Sequence, residues 1–327
     1  MQQLSYGDIK AAADRIGGRV RPVAIAPFGS GAPQDCQLWF ALEYMQYTGS
    51  FKARGAINFL QAHAEAGTLP AAGVTIASGG NAGLACAWAA HRQGVRATVF
   101  VPETAPVMKV AKLRAYGADV RLVGTEYAEA LQACEIFTAE TGALASHAYA
   151  NPYIAAGAGT LLDEIHRQIP DLDTVITAVG GGGLFAGVAT AAQHHGVRAV
   201  AVEPENCRAL AAAIEAGQLV DVSVDSIAAD SLGARRSWDG ALTAAQQDNA
   251  RSVLVTDAQI IAARQSLWDE RRIVVEHGTA AALAALLAPG TPDATYGYRP
   301  RAGEKVCVVL CGANTDPADL TSPAVAG

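Results

Sequence analysis

A single lysine interrupts a run of small and turn-forming residues in TGSFKARG, residues 48–55. Thr48, Gly49 and Ser50 suit a tight turn and a helix cap, and the apolar-periodic ARGAINFL reads as the start of a helix. Lys52 then falls in the first helical turn, where its charge opposes the helix dipole; that placement is mildly unfavourable unless the amine serves a purpose. Three further stretches join glycine to the end of a β-rich run: SGGNAG (78–83), GGGG (180–183) and CGAN (311–314). Glycine lets a backbone approach a ligand closely, and a helix N-terminus offers free N–H groups and a positive dipole end to an anion. Gly180, Gly181, Gly182 and Gly183 form the strongest phosphate candidate. The same stretch imitates a dinucleotide fingerprint, with TVITAV before it and Glu203 twenty residues beyond Gly183. A nicotinamide-type ligand and a tight turn without a ligand both stay open on this ground.

The elements that must position these residues alternate along the chain. GVTIAS, ATVFVP and VRLVG read as strands, and NAGLACAWAAHRQG, APVMKVAKLRAYGADV and EYAEALQACEIFTAETG as the helices among them. The pattern returns after residue 150 with TVITAVG, a helix from about Leu184, VRAVAVEPE and, much later, KVCVVLCG. Such alternation predicts an α/β protein of open parallel sheets joined by right-handed crossovers. Two domains are expected, a small one of residues 73–148 and a large one of residues 1–72 and 149–327. Ligands of such sheets bind beyond the carboxyl ends of the strands, so the lysine turn and the glycine turns are expected to meet in the cleft between the domains.

The 327 residues, 51% of them hydrophobic, suffice for a packed core. A net charge of −7 leaves no basic stripe for a phosphate backbone, so nucleic acid is not an expected partner. The N-terminal MQQLSYGDIKAAADRIGG has no long apolar segment and no stretch approaches a membrane span, which predicts a cytoplasmic protein without a membrane partner. Six scattered cysteines without a CxxC pair fit reduced, buried thiols. The adjacent His194 and His195 read as a solvated helix end, and the spacings of zinc sites are absent.

Taken together, these motifs resemble the fold-type II pyridoxal phosphate enzymes, and within them the serine/threonine dehydratases, over nearly the whole chain. TGSFKARGA is similar to the family's T-G-S-F-K-x-R-G-A signature, SGGNAG to its S-[SAG]-G-N-[HA]-[GA] loop, GGGGL to its phosphate cradle, AVEP to the strand end after that cradle, and CGAN to the loop at the pyridine nitrogen. AGAGTLLDEI (156–165) resembles the family's A-G-Q-G-T helix, with Ala158 where glutamine is usual. The resemblance implies that Lys52 holds pyridoxal 5'-phosphate as a Schiff base and, once freed, takes the α-proton of the substrate. It implies that Phe51 covers one face of the ring and that Ser78, Gly79, Gly80, Asn81 and Ala82 receive the substrate carboxylate and the cofactor's phenolic oxygen. Gly180 to Gly183 with Leu184 would hold the phosphate, and Cys311 would contact the pyridine nitrogen. A neutral partner there makes the ring a weak electron sink, which favours early loss of a β-substituent.

The implied activity is β-elimination of a β-hydroxy-α-amino acid, such as serine, threonine or a bulkier analogue, to a 2-oxo acid and ammonia, with proton help from the cofactor phosphate and in a homodimer. β-Replacement, racemisation, an NAD-dependent oxidoreductase and a non-catalytic amino-acid-binding relative are the alternatives. In racemising relatives a second serine follows the first serine of SGGNAG, and here Gly79 stands in that place. Gly79 and Ala82 replace larger residues, and AADSLGARR (228–236) departs from the usual A-D-G-[ILV], so Asp230, Ser231 and Arg235 are candidates for choosing the substrate or for a polar surface loop. Some relatives bind a divalent cation through the glutamate of VEP and a downstream acid; Arg208 and Ala209 stand where that acid is expected, so no essential metal is expected. With only a short stretch after CGANTDP, no C-terminal regulatory domain is expected.

Overall fold

The computed structural model describes residues 3–29, 32–287 and 295–321. Its strands are β1 (Ile25–Pro27), β2 (Gln37–Ala41), β3 (Val74–Ala77), β4 (Ala97–Val101), β5 (Asp119–Leu122), β6 (Leu144–Ala145), β7 (Thr174–Ala178), β8 (Arg198–Pro204), β9 (Ala250–Val255) and β10 (Lys305–Val309). They form a six-stranded sheet in the order β1-β2-β10-β7-β8-β9 and a four-stranded sheet in the order β5-β4-β3-β6. β1 runs antiparallel to β2, and the remaining pairs are parallel. This is the expected α/β architecture of two open parallel sheets. β9 is an addition to the expected strands. Only Val253, Leu254 and Val255 of its ARSVLV are buried, so its pattern is that of a half-covered edge.

Helices on both faces explain the unbroken apolar and threonine runs of the central strands. Pro152–Gln168 and Gly183–His195 cover one face of the large sheet through Leu161, Ile165, Phe185 and Val188, while Asp257–Arg271 and His277–Leu287 cover the other through Ile260, Leu267 and Leu283. On the small sheet, Phe59 and Leu60 of helix Lys52–Glu65 join Trp88 of helix Asn81–Gln93 over Val74, Ile76 and Val99. Helix Tyr127–Thr141 packs Ala130 and Cys134 on the opposite face, against Ala77 and Phe100. Among the described residues no helix is long and apolar enough to cross a membrane. The histidine pair ends its helix at the surface, as expected, with His194 exposed and stacked on Tyr6 at 3.6 Å and His195 partly exposed, its Nε2 2.8 Å from Asp163 Oδ1.

The lysine helix touches helix Pro152–Gln168 backbone to backbone. A Cβ on Gly55 would stand 2.6 Å from Ile154 O, and one on Gly157 only 2.5 Å from Arg54 O, so neither position tolerates a side chain without movement. Beside this crossing lies Arg54, wholly buried. Its Nε donates to Glu43 Oε1 at 2.6 Å, its Nη1 to Glu164 Oε1 at 2.6 Å and to Thr160 Oγ1 at 3.3 Å, and its Nη2 to Arg21 O at 3.3 Å. Burial opposes the guanidinium charge, but the carboxylates outweigh it and hold Arg54 more firmly charged than usual.

Replacing Arg54 with leucine strips the buried Glu43 of its cation. Urea unfolding should report a loss of about 3–5 kcal/mol, whereas Glu164→Gln, at a partly exposed site, should cost less. A midpoint unchanged by Arg54→Leu would mean that the triad carries no net stability.

Candidate active site

The turn before the lysine helix is built from left-handed backbone, with φ of 64° at Thr48 and 74° at Gly49. Ser50 pairs with Gly312 in an antiparallel bridge, and Phe51 N donates to Cys311 O at 2.9 Å. That bridge takes Ser50 out of the expected capping role. The helix starts from Phe51 in helical conformation, and Ser50 Oγ is buried without a partner among the described residues. Lys52 is the first helical residue; its Nζ donates to Ala148 O at 2.9 Å and lies 4.8 Å from the centre of the Phe51 ring. Burial lowers its ammonium to about 8, with Cys311 and Glu276 pulling the other way.

The glycine turns sit at strand ends, as expected. Ser78 follows β3, and its Oγ accepts from Gly80 N at 3.4 Å. Asn81 opens the next helix, but its side chain reaches across to the large sheet's loops. Nδ2 donates to both carboxylate oxygens of Glu276 at 2.9 and 3.0 Å, and Oδ1 accepts from Asn314 Nδ2 at 2.7 Å. Asn314 Nδ2 also donates to Thr48 O at 2.7 Å, and Asn314 N to Glu276 Oε1 at 2.9 Å. Both polar atoms of Asn81 are thus engaged by protein. Gly79 and Ala82 lie in this loop, with a Cβ on Gly79 meeting Val101 Cγ1 at 3.2 Å, while one on Gly80 would meet open space.

GGGG leads directly into helix Gly183–His195, with Gly182 at φ 95° as its cap and Leu184 buried in its first turn. Added Cβ atoms would meet Leu232 Cα at 3.0 Å from Gly180, the Tyr149 ring at 2.3 Å from Gly181, Ala241 Cβ at 2.3 Å from Gly182 and Tyr149 O at 2.9 Å from Gly183. Among the described residues, the backbone amides from Gly180 to Gly183 donate to no protein acceptor. Glu203 does not serve a nucleotide here. Its oxygens accept from Leu210 N and Ala211 N, both at 2.8 Å, and burial pushes its carboxyl up to about 8 against those two bonds. Among the described residues no group of three His, Cys, Asp or Glu side chains is placed to hold a metal ion.

Cys311 is a buried thiol 3.3 Å from Thr279 Oγ1, and Thr279 gives its own hydrogen to Gly312 O at 2.8 Å. Burial pushes the thiol up to about 12, so it stays neutral. Glu276, Thr279, His147, Ala148 and Tyr149 are site residues that local motifs did not reveal. Glu276 is buried, and loss of water raises its carboxyl despite the bonds from Asn81 and Asn314. Of the AADSLGARR candidates, Asp230 is exposed yet near enough to act on Glu276 and His277; Ser231 packs over Gly278; Arg235 is exposed, and its carbonyl accepts from Val222 N at 2.8 Å.

This donor set fits pyridoxal 5'-phosphate: a half-buried amine held by a carbonyl, an aromatic ring beside it, a neutral thiol, and a helix-opening loop of free amides whose glycines are fixed by their neighbours. The family model described as pyridoxal-phosphate dependent enzyme matches residues 21–312. An L-threonine ammonia-lyase of Geobacter sulfurreducens is 34% identical, over 96% of this chain and 76% of its own. A catabolic L-threonine dehydratase of Staphylococcus aureus is 32% identical over 96% of this chain and 90% of its own. Maize serine racemase superposes with a TM-score of 0.87 at 27% identity, covering 98% of this chain and 96% of the other.

Gly181→Ala drives a methyl group into the Tyr149 ring. Titration of the cofactor-free chain should show affinity for pyridoxal 5'-phosphate falling at least about ten-fold, since one lost charge-assisted bond to phosphate suffices for that. Adding Tyr149→Ala should recover part of it; wild-type affinity in Gly181→Ala alone would remove this loop from the cofactor site.

Proposed function

From the premise that this chain belongs to the pyridoxal-phosphate dependent enzymes, we propose that it is an ammonia-lyase that dehydrates a β-hydroxy-α-amino acid such as serine or threonine to an enamine, which goes on to a 2-oxo acid and ammonia. The observation that carries this reading is the half-buried Lys52 amine, lowered to about 8, bonded to Ala148 O and close enough to Cys311 and Glu276 to feel both. The bound cofactor supplies an aldehyde for the substrate amine and a conjugated ring that stabilises negative charge at the α-carbon.

The chain's residues supply the rest. A sizeable fraction of Lys52 is neutral near pH 8, so its Nζ lone pair can take the α-proton. Ala148 O keeps one Nζ hydrogen and so orients that lone pair. The amides of Gly180 to Gly183, with Leu184 behind them, hold the phosphate; Phe51 borders the ring. Ser78 Oγ and the backbone from Gly79 to Ala82 take the substrate carboxylate. Asn81 acts mainly by locking that loop to Glu276 and Asn314, whose bonds occupy its amide. Cys311, neutral, would give the ring nitrogen no anionic partner, which favours early loss of the β-hydroxyl; the α-proton taken by Lys52 balances the hydroxide that leaves as water. The enamine released from the site becomes an imine and hydrolyses in water. The same reading takes the enzyme to be a cytoplasmic homodimer of a large domain (residues 1–72 and 149–327) and a small one (73–148).

Incubation with L-serine and L-threonine should yield 2-oxo acid and ammonia in equal amounts, and Lys52→Ala should abolish both. After borohydride reduction, mass spectrometry should find the pyridoxyl group on Lys52; an adduct on another lysine would overturn the assignment.

Racemisation needs a second acid or base on the face opposite Lys52, and Gly79 has no side chain to provide one. Wild type should therefore give little mirror-image product by chiral chromatography. Gly79→Ser, crowded only by Val101 Cγ1 at 3.2 Å, should add racemisation. Rapid epimerisation by wild type would show the reaction class to be wrong.

A further inference from the structure

Between β6 and helix Pro152–Gln168 the chain folds over its own histidine. His147 Nδ1 accepts two backbone amides, from Tyr149 at 3.2 Å and from Ala150 at 2.9 Å. A ring nitrogen that accepts carries no proton, so the neutral ring bears its hydrogen on Nε2. The residues enclosed by this turn face the site. Ala148 O accepts from Lys52 Nζ at 2.9 Å, the Tyr149 ring lies against Gly181, and Tyr149 Oη donates to Arg236 O at 3.0 Å. Four residues on, Asn151 Oδ1 makes the same kind of turn, accepting from Tyr153 N at 2.9 Å and Ile154 N at 3.3 Å.

We propose that His147 is a positioning residue: its unprotonated Nδ1 holds the 147–150 turn in the shape that sets the Ala148 carbonyl against the Lys52 amine and the Tyr149 ring against the glycine loop. Only the catalytic consequence rests on Lys52 being the reactive amine. Protonation of Nδ1 would set an N–H against two N–H groups and open the turn. The charge that faces His147 is Lys52 Nζ, from the lysine helix; from its own segment the Tyr149 ring meets it edge-on at 4.7 Å. The ring keeps an exposed edge, and partial loss of water and then the Lys52 charge both lower its basicity. Its folded pKa thus lies below the unfolded one, so the turn is intact at and above the ordinary histidine range and is lost as pH falls through the lowered value.

The test compares His147→Asn, whose side-chain oxygen can accept the same amides without titrating, with His147→Leu, which cannot accept. Three readouts are used: imidazole 15N shifts of the full wild-type chain, competitive acetylation of Lys52 followed by mass spectrometry on the cofactor-free chain, and kcat and KM of the holoenzyme against pH. We expect an Nε2-protonated neutral ring above pH 7. Lys52 in His147→Leu should change its acetylation profile and lose roughly ten-fold in kcat with KM less affected, on the scale of a lost pair of hydrogen bonds. His147→Asn should keep wild-type Lys52 reactivity and kcat while losing the acid-side fall that belongs to His147. An Nδ1-protonated ring, or a Lys52 profile identical in wild type and His147→Leu, would overturn the proposal. The acetylation readout does not depend on which reaction the enzyme catalyses, so it fails or stands separately from the lyase assignment.

Discussion

The buried guanidinium of Arg54 dictates where the lysine points. Residues two apart on a helix project about 200° from each other, so an Arg54 fixed between Glu43 and Glu164 turns Lys52 to the opposite side, where its amine meets the Ala148 carbonyl. Gly55, next in the chain, lets the helix lie against Ile154 closely enough for this grip to form. The spacing K-x-R-G is then a mechanical unit. One residue carries the amine that bonds the Ala148 carbonyl, one is its anchor, and one is the clearance that the anchor requires.

A second buried charge joins the two sheets. Glu276 takes bonds from the side chain of Asn81, at the head of a small-sheet helix, and from the backbone of Asn314, beyond β10. Asn314 in turn bonds Asn81 and the carbonyl of Thr48 in the lysine turn. A carboxylate removed from water must have its lone pairs met, so the closed arrangement of these loops is the one that satisfies Glu276. Separating them would leave a buried anion without donors, which favours a single relative position of the lysine turn and the SGGNAG loop.

The sequence made the site's local pieces readable because each is a compact exception to ordinary composition: a lysine among turn residues, glycines at strand ends. Chain-distant partners were not readable. Asn81 and Glu276 lie 195 positions apart, and nothing in VVEHGTAA distinguishes a carboxylate that crosses a cleft from one that faces solvent. His147 and Tyr149 stand in SHAYAN, whose tight backbone turn has no glycine to announce it. Ser50 looked like a helix cap because serine at that offset usually is one; its bridge to Gly312, 262 positions away, decided otherwise. β9 escaped for the opposite reason, since a strand half covered at a sheet edge carries half the pattern.

Burial acts on the two ends of the site with one physical effect and opposite proton consequences. Loss of water disfavours charge, which lowers the Lys52 ammonium and raises the Cys311 thiol. Both groups are thereby driven towards neutrality. For a base at carbon this is the useful direction, because the amine begins uncharged and becomes a cation only on accepting the proton. That new cation is not stranded: the Ala148 carbonyl is already bonded to it, and Glu276 acts on it from the cleft network. The thiol has no such route to charge, since Glu276 raises it further. Between these two groups the protein thus reserves the easy change of charge for Lys52 Nζ, and keeps the group assigned to the ring nitrogen from competing for it.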